Sequence, residues 1–204
     1  MLDETELTLF IMKKILVVHA IQLEQIKLHL PGVEIKTILS GIGKAKAAMN
    51  VMQAVIEFQP DFVLNIGTAG TLNHNVGDII VSHHFVDRDM VPLVAFGLES
   101  DLVSIVPEGW QLSSYIGGNN LSGDFIVNTG DDFVTADSGI EGDVVDMEAF
   151  AEALVCRKMN LPFLSIKYVT DVVGQNSIAL WEEKLADARN SLSAFFDKNV
   201  SFPT

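Results

Sequence analysis

Cysteine is nearly absent from this chain of 204 residues, which contains only Cys156. A single cysteine excludes an internal disulfide framework and favours a reducing compartment, so we expect a cytoplasmic protein. Cys156 lies among apolar residues at helical spacing, which predicts a buried thiol rather than a catalytic nucleophile. Small secreted domains held together by disulfides are therefore excluded as a class.

Basic residues are also scarce. The chain has 13 Lys and Arg against 27 Asp and Glu, a formal net charge of −14. Such a surface repels phosphate backbones and anionic lipids, so we expect neither nucleic acid nor a membrane as a partner. A small neutral or cationic ligand suits this charge better.

Long apolar runs are missing as well, since none approaches the roughly 18 residues of a membrane span. Hydrophobic residues nevertheless make up 49% of the chain, and charged residues 20%, which is typical of a globular protein. The length suits one domain with one core. We expect this domain to span residues 13–204 after an N-terminal appendage, residues 1–12, because the first convincing strand directly follows Met12.

The order of the strand and helix patterns predicts an α/β fold. Apolar or alternating runs predict strands at 15–19, 33–39, 61–66, 77–82, 125–128 and 162–169. Helical periodicity predicts helices at 22–30, 44–58, 147–159 and 178–197, and the weaker pattern over 86–122 predicts loops and short elements. This alternation favours a central twisted sheet, mixed but largely parallel, with helices on both faces.

Two of the predicted helices have an apolar face at the spacing that a buried helix needs. The inward residues of helix 44–58 are Ala47, Ala48, Val51, Met52, Val55 and Ile56. Those of helix 147–159 are Met147, Phe150, Ala151, Leu154 and Val155. The second pattern places Glu148 in the first turn of its helix.

Two acidic residues occupy positions where ligands gather in open α/β sheets. Asp171 follows the predicted strand 162–169, and the carboxyl ends of parallel strands are the usual ligand-binding edge. Glu148 lies near the start of the preceding helix. On spacing alone, Asp171 could equally be a turn or cap aspartate and Glu148 a solvated helix residue.

Other polar and glycine-rich segments allow more than one interpretation. Segment 41–44 (Gly-Ile-Gly-Lys) could bind phosphate at a helix start or form a tight turn. Segment 67–70 (Gly-Thr-Ala-Gly) could admit a ligand close to the backbone or simply form a close turn. Glu24 needs no function at its helix start. His83 and His84 point to opposite faces of a strand, so we expect no metal site.

Taken in order, several motifs resemble one family. They are Gly-Ile-Gly-Lys at 41–44, Asn-Ile-Gly-Thr-Ala-Gly at 65–70, Val-Gly-Asp-Ile at 76–79, Thr-Gly-Asp-Asp-Phe at 129–133, Asp-Met-Glu-Ala at 146–149 and Thr-Asp at 170–171. Their order and rough spacing are similar to those of the purine nucleoside phosphorylase superfamily. Within that superfamily the motifs look most like those of the 5′-methylthioadenosine/S-adenosylhomocysteine nucleosidases, and the resemblance covers residues 13–197.

The resemblance implies a role for each matching residue. Asp171 matches the general acid that acts on purine N7, and Glu24 matches the residue that activates the attacking water. Glu148 matches the carboxylate that holds the ribose hydroxyls. The remaining matches are Met147 beneath the sugar, Phe133 stacked on the base, the Val134 backbone at the base edge, Thr68 near the nucleophile, and Ile42 and Trp181 around the 5′ substituent.

This set of residues suits the chemistry of N-glycosidic cleavage. Positive charge develops on the ribose while electrons flow into the purine, so an acid must protonate the base and a carboxylate must stabilise the sugar. A base on the opposite face must deprotonate water, as in inverting glycoside hydrolysis. Asp171 must therefore hold a proton near neutral pH.

The chain departs from the patterns of the superfamily in three respects. The acidic cluster after the first strand is reduced to Ile-Gln-Leu-Glu, which leaves only Glu24, and Lys167 stands where relatives have arginine. The phosphate loop of the phosphorylases, Gly-Asp-Pro-x-Arg, is replaced by His-Ala-Ile-Gln-Leu at 19–23. Water is therefore the expected nucleophile.

The expected function is that of a nucleosidase that acts on methylthioadenosine, S-adenosylhomocysteine or a close relative. The resemblance also implies a homodimer, a role in methionine salvage and no metal or organic cofactor. Three alternatives stay open: a hydrolase for another nucleoside such as futalosine, a phosphate-dependent phosphorylase, and a nucleoside-binding protein without catalysis.

Overall fold

The protein was analysed as a computed structural model that describes residues 13–106, 111–112, 120–122, 124–135, 140–175 and 177–201. The predicted appendage, residues 1–12, lies outside the described residues. The strands are β1 (Lys13–His19), β2 (Val33–Leu39), β3 (Phe62–Thr71), β4 (Ile79–Ser82), β5 (His84–Asp87), β6 (Asp101–Val103), β7 (Gln111–Leu112), β8 (Asn120–Ser122), β9 (Ile126–Thr129), β10 (Val144–Asp146), β11 (Phe163–Val172) and β12 (Val200–Ser201). The α-helices are α1 (Lys44–Phe58), α2 (Ala149–Lys158) and α3 (Ser177–Asn199).

The central element is a ten-stranded mixed sheet in which parallel pairings outnumber antiparallel ones. Its main path runs β6-β5-β9-β10-β3-β11-β4-β8, and β1 pairs with both β3 and β2 beside this path. The antiparallel pairs in the described part of this sheet are β10 with β3, β11 with β4, and β5 with β6. The predicted α/β fold with a largely parallel central sheet is confirmed.

The core lies on both faces of the sheet, and β1 shows why its sequence is continuously apolar. Leu16 and Val18 face the hydrophobic cluster that includes α1 and α2, whereas Ile15 and Val17 face the cluster that includes α3. Successive strand residues point to opposite faces, so a strand covered on both faces needs apolar residues at every position. The predicted burial of Cys156 on α2 is also confirmed, and burial raises the pKa of its thiol well above the usual value.

Helix α1 has the predicted bounds but a narrower buried face than predicted. Ala47, Val51 and Val55 are buried, but Ile56 is 59% exposed. Ile56 lies nine residues after Ala47, which at 3.6 residues per turn places it half a turn round the helix. Leu154 on α2 was likewise predicted to face inward and is 40% exposed. No helix among the described residues is long and apolar enough to cross a membrane.

The predicted helix at 22–30 is wrong. Only Gln22–Glu24 forms a short 3-10 turn, and residues 25–30 have no regular secondary structure. In a longer helix the Leu23 carbonyl would accept a hydrogen bond from the chain four residues on. It instead accepts one from the guanidinium of Arg189 on α3. Tertiary contacts, including burial of Ile26 against the α3 side of the core, therefore override the helical pattern.

Several element boundaries near the predicted site also differ from prediction. Strand β3 continues to Thr71, so segment 67–70 is strand and not a turn. Strand β11 continues to Val172, so Asp171 lies within a strand rather than in a turn or a helix cap. Helix α2 begins at Ala149, which makes Glu148 its N-cap residue instead of a first-turn residue. Strand β10 was not predicted.

Candidate active site

The sheet opens along one side of β3, and this opening creates the candidate site. The first half of β3 pairs with β1, and its last two residues pair with β10. Between them, residues 66–69 have no strand partner on that side among the described residues. His19 ends β1 at this gap, where its Nδ1 donates to the Ile66 carbonyl over 2.8 Å. The gap lies at the carboxyl ends of parallel strands, where ligands bind in such sheets.

A cavity of about 350 Å³ occupies this opening. Its wall includes all nine residues that the sequence predicts for the site: Glu24, Ile42, Thr68, Phe133, Val134, Met147, Glu148, Asp171 and Trp181. The other lining residues are Ala20, Ile21, Ala69, Gly70, Arg88, Asp132, Val145, Asp146 and Ile178. The volume suits a small organic ligand. The structure thus brings the predicted residues to one place, while their chemical roles remain predictions.

Glu24 is held against β3 by Thr68. One carboxyl oxygen of Glu24 accepts hydrogen bonds from the Thr68 backbone N–H, over 3.0 Å, and from the Thr68 hydroxyl. A side chain at Gly67 would place its Cβ 3.3 Å from Glu24 Oε2, so a glycine allows this close approach. Burial raises the pKa of Glu24 above its usual value, although the Thr68 hydroxyl and the charge of Lys167 lower it in part.

Asp171 is aimed into the cavity by an irregularity in β11. The pairing register between β11 and β3 shifts between Val169 and Asp171, which is the mark of a β-bulge, and bulges commonly redirect a side chain at a functional site. Asp171 is buried, and its Oδ1 accepts a hydrogen bond from the Thr170 hydroxyl over 2.8 Å. A Cβ at Gly70 would lie 3.1 Å from Asp171 Oδ2, which explains the glycine.

Glu148 connects the start of α2 to the start of α1. Its Oε1 accepts a hydrogen bond from the Gly43 N–H over 3.0 Å. Gly43 has φ +94°, a conformation that favours glycine. Burial, with the charge of Asp146, raises the pKa of Glu148 to about 7, against the opposing effect of Lys167. A carboxyl that ionises near neutral pH is typical of functional sites.

Beneath Glu148, Asp146 and Lys167 form a buried ion pair with an Nζ–Oδ2 distance of 2.8 Å. Asp146 also accepts hydrogen bonds from the Thr129 hydroxyl over 2.6 Å and from the Ala149 N–H over 3.0 Å. Burial alone would lower the pKa of Lys167, but the charges of Asp146 and Glu148 outweigh burial and raise it. Lys167 therefore remains a cation under an acidic cavity wall.

Aromatic residues form another part of the wall. The Trp181 indole N–H, on α3, donates to the Thr68 hydroxyl oxygen over 2.9 Å. The rings of Trp181 and Phe133 meet edge to face, with centroids 6.4 Å apart and an interplanar angle of 70°. Val134 beside Phe133 is buried. This arrangement places aromatic rings beside carboxyl groups, which suits a ligand with an aromatic base and a polar sugar.

The start of α1 is closed to phosphate by carboxylates of the chain itself. Glu148 accepts from the Gly43 N–H, and Asp131 accepts from the Lys44 N–H over 2.8 Å. The Lys44 ammonium is paired with Asp87 and Asp89. These two N–H groups at the helix start are therefore already occupied by carboxylates, and the tight-turn interpretation of segment 41–44 fits the structure better than phosphate binding.

The sequence analysis missed two charged residues, Arg88 at the cavity and Glu152 on α2. Arg88 lines the cavity, and its guanidinium binds the Asp132 carboxylate and the carbonyls of Asn128 and Asp146. It lies in segment 86–122, where the hydrophobic periodicity is weak, and no motif there indicated a binding residue. Glu152 on α2 is fully buried, and its apolar neighbours in the sequence were the only hint. No three His, Cys, Asp or Glu side chains in the described ranges could together hold a metal ion.

The chain is similar to one family of known proteins along most of its length. Residues 14–201 match the family model described as the phosphorylase superfamily. The 5′-methylthioadenosine/S-adenosylhomocysteine nucleosidases of Bacillus velezensis and Colwellia psychrerythraea are 34% and 32% identical over 181 and 185 residues, which cover 77% and 78% of this chain and 76% of each relative. The crystal structure of the Neisseria meningitidis nucleosidase in complex with methylthio-immucillin-A has a TM-score of 0.76 at 26% identity, and the match covers 91% of this chain and 96% of that one.

Proposed function

The chain belongs to the phosphorylase superfamily, and on that premise we propose that it is a nucleosidase. Its reaction is hydrolysis of the N-glycosidic bond of 5′-substituted adenine nucleosides, of the methylthioadenosine and S-adenosylhomocysteine type, with release of the purine base. The observation that carries the proposal is the meeting of Glu24, Glu148 and Asp171 around one cavity beside an aromatic wall. Nucleosidases of this type are the chain's similar relatives.

Asp171 is the proposed general acid. As the bond between the ribose C1′ and the purine N9 breaks, its electron pair moves into the purine, and Asp171 donates a proton to N7. The burial of Asp171 and its hydrogen bond from Thr170 support this role, because they hold the carboxyl group in one orientation. The bulge in β11 turns the Asp171 side chain toward the cavity.

Glu24 is the proposed general base and Glu148 the sugar-binding carboxylate. Glu24 takes a proton from the attacking water, whose oxygen forms the new bond to C1′. Glu148 accepts hydrogen bonds from the ribose hydroxyls and favours the positive charge that develops on the sugar. Burial of both carboxyl groups supports these roles, since charge interactions are stronger away from water.

The apolar lining residues are the proposed contacts of the base and the 5′ group. Phe133 stacks on the purine, the Val134 backbone meets its edge, and Met147 packs beneath the sugar. Thr68 lies beside the nucleophilic water through its contact with Glu24. Ile42 and Trp181 line the space for the 5′ substituent.

Water is the proposed nucleophile in place of phosphate. The cavity wall carries five acidic residues (Glu24, Asp132, Asp146, Glu148 and Asp171) and one basic residue, Arg88. Arg88 is already bound to Asp132 and to two carbonyl groups. A phosphate dianion would therefore be repelled, whereas a cationic transition state would be stabilised.

We further propose that the protein is a cytoplasmic homodimer that acts in methionine salvage. Dimer formation is supported by the exposed apolar side chains of the 3-10 helix Val91–Phe96, in which no residue is buried. Phe96 is 81% exposed there, which is unusual for a phenylalanine on a free surface. The single, reduced cysteine supports a cytoplasmic location.

The test is release of free base from methylthioadenosine, S-adenosylhomocysteine, inosine and futalosine, each with and without phosphate. Wild type is expected to release adenine from the first two without phosphate. Asp171→Asn is expected to lower kcat roughly 10²- to 10⁴-fold, because the leaving purine loses its proton donor. The matched control is Asp124→Asn, whose side chain is 97% exposed, and it should retain the wild-type rate.

Each other result has a defined meaning. Release only with phosphate would identify a phosphorylase, and release from futalosine alone would identify a different nucleoside substrate. Tight nucleoside binding without turnover would support a binding protein. No release and no binding would overturn the proposal.

A further inference from the structure

Trp181, Thr68 and Glu24 form one continuous hydrogen-bonded chain along the cavity wall. The Trp181 Nε1–H donates to Thr68 Oγ1 over 2.9 Å, and Thr68 Oγ1 donates to Glu24 Oε1. The three residues come from α3, β3 and the 3-10 turn after β1. They lie 113 and 44 positions apart in the sequence. The contact between Trp181 and Thr68 therefore exists only because α3 packs back over β3.

The chemistry of the three groups allows this chain to run in only one direction. An indole N–H can donate but cannot accept, and an ionised carboxylate can accept but cannot donate. The Thr68 hydroxyl has one proton and two lone pairs. With Trp181 donating to its oxygen, the hydroxyl proton is free to point at Glu24. The indole therefore sets the orientation of the hydroxyl.

We propose that Trp181 is a positioning residue for the base Glu24, in addition to being a wall of the cavity. Its N–H fixes and polarises the Thr68 hydroxyl, which strengthens the hydrogen bond to Glu24 and favours the carboxylate that must accept the proton of water. Hydrogen bonds in such chains reinforce one another. This inference rests on the proposed nucleosidase function only in the role it gives to Glu24.

Other charged groups around Glu24 do not replace this effect. Lys167 on β11 favours the Glu24 carboxylate, whereas Asp146 on β10 and Glu148 at the start of α2 oppose it. Arg189 on α3 binds the Leu23 carbonyl, next to Glu24 in the chain. Because burial opposes ionisation of Glu24, its direct hydrogen bonds from Thr68 are needed to offset that cost.

The kinetic test compares Trp181→Phe, Thr68→Val, the double variant and Thr68→Ser. Trp181→Phe keeps an aromatic wall but removes the N–H, and we expect kcat to fall roughly 3- to 10-fold, as for one lost hydrogen bond. The acidic limb of the kcat profile at saturating substrate should move to higher pH, because the Glu24 carboxylate is less stabilised. Thr68→Val should lower kcat further and move the limb in the same direction.

The double variant separates positioning from simple wall contact. If Trp181 acts through Thr68, the double variant should be no slower than Thr68→Val, because the two residues belong to one chain of contacts. Thr68→Ser, which keeps the hydroxyl, should retain the acidic limb of wild type. A Trp181→Phe variant with a raised KM, an unmoved acidic limb and losses additive with those of Thr68→Val would overturn the proposal.

A second measurement needs no turnover. The chain has two tryptophans, Trp110 and Trp181, so the indole N–H signal of Trp181 is identified in ¹⁵N–¹H spectra by its loss in Trp181→Phe. During a pH titration this signal should shift as Glu24 ionises, and Glu24→Gln should abolish that shift. Thr68→Val should move the signal at every pH, whereas Thr68→Ser should not.

The two measurements distinguish the failure of this inference from the failure of the proposed function. If wild type releases no base but the indole signal follows Glu24, the hydrogen-bonded chain is real and the assigned reaction is wrong. If wild type is active but the indole signal ignores both Glu24→Gln and Thr68→Val, the positioning role is wrong and the nucleosidase function stands.

Discussion

At the scale of single residues, Glu148 shows how position changes the chemistry of an ordinary carboxyl group. Its side chain makes no hydrogen bond to α2, whose N-cap it is, and its carboxylate accepts a hydrogen bond from the Gly43 N–H. Burial and the neighbouring Asp146 raise its pKa to about 7. Only the ionised carboxylate can accept hydrogen bonds freely with both oxygens. Its proposed hydrogen bonding to the ribose hydroxyls therefore depends on pH.

This dependence predicts that wild type loses affinity for its nucleoside as the pH falls through about 7. The pKa of Glu148 is raised, so the carboxylate is present above that value and is lost below it. In Glu148→Gln, KM should rise roughly 10- to 100-fold, as for lost hydrogen bonds to a charged group, and this contribution to the pH dependence should disappear. Steady-state kinetics between pH 5.5 and 9 measure both effects. A wild-type KM that stays constant over this range would contradict the prediction.

At the scale of elements, Asp146 joins the end of β10 to the start of α2 and to β11. Its carboxylate accepts hydrogen bonds from Thr129 and from the first residue of α2, Ala149, and it forms the ion pair with Lys167. Thr129 in turn accepts a hydrogen bond from the Phe150 N–H over 3.0 Å. A helix start needs such partners for its free N–H groups, so this cluster orients α2 and with it Glu148.

Removal of the cation from this cluster should destabilise the fold strongly. Lys167→Met leaves Asp146 as a buried, unpaired charge, and we expect the free energy of unfolding to fall by about 3–5 kcal/mol. The control is Lys36→Met, which breaks the exposed pair with Glu57, and a surface pair of this kind contributes about 0–1 kcal/mol. Urea denaturation at pH 7 compares the two variants. If both variants lose the same free energy of unfolding, the buried Asp146–Lys167 pair contributes no more to stability than the exposed pair, and the prediction is wrong.

At the scale of the whole molecule, buried carboxyl groups link stability to pH. Glu152 is fully buried, and the Ser40 hydroxyl offsets only part of the cost of burying its carboxylate. Burial raises its pKa to about 8, and the charge of Lys167 opposes the rise without cancelling it. An ordinary glutamate, as in the unfolded chain, ionises near 4.5. Protons are therefore bound more tightly in the folded state.

The sign of this linkage predicts loss of stability as the pH rises from about 4.5 to about 8. Below about pH 4.5 Glu152 is neutral in both states, and as the pH rises to about 8 the unfolded chain gains stability by ionising first. The expected loss across this window is a few kcal/mol. Glu152→Gln should flatten the dependence of the melting temperature on pH between 5 and 8. Glu34→Gln, on an exposed residue of β2, should leave the wild-type slope, and an unchanged slope in Glu152→Gln would contradict the prediction.

The exposed apolar surface belongs to the same scale, because covering it with a second copy of the chain requires association between molecules. Val91, Val94 and Phe96 are exposed on the 3-10 helix, and Met49 is 63% exposed on α1. Phe96→Asp should turn the proposed dimer into a monomer, because burial of a charge without a partner opposes association. Sedimentation velocity measures the change. An exposed substitution elsewhere, Asp124→Asn, serves as the control, and a wild-type monomer would refute the dimer itself.

The sequence alone determined most of the elements and the family. Some signals are local, because they depend only on residues a few positions apart in the sequence. Examples are the apolar run of β1, the alternation of β2 and the end of α1 before Pro60. The ordered motifs from 41–44 to 170–171 identified the superfamily, and each predicted site residue is found at the cavity. A short motif can be identified in a sequence even when the residues that it contacts in the fold are far away along the chain.

Tertiary structure alone decided the features that depend on distant contacts. Arg189 ends the turn that carries Glu24, a contact across 166 positions that no local pattern contains. The burial of Glu152 and the bonds of Arg88 likewise follow from how α2 and the loop after β5 pack. Helical and strand periodicity report only one element at a time. Separate elements come together in the fold and exclude water. Their packing decides which carboxyl groups share a cavity and how burial shifts the pKa values of those groups.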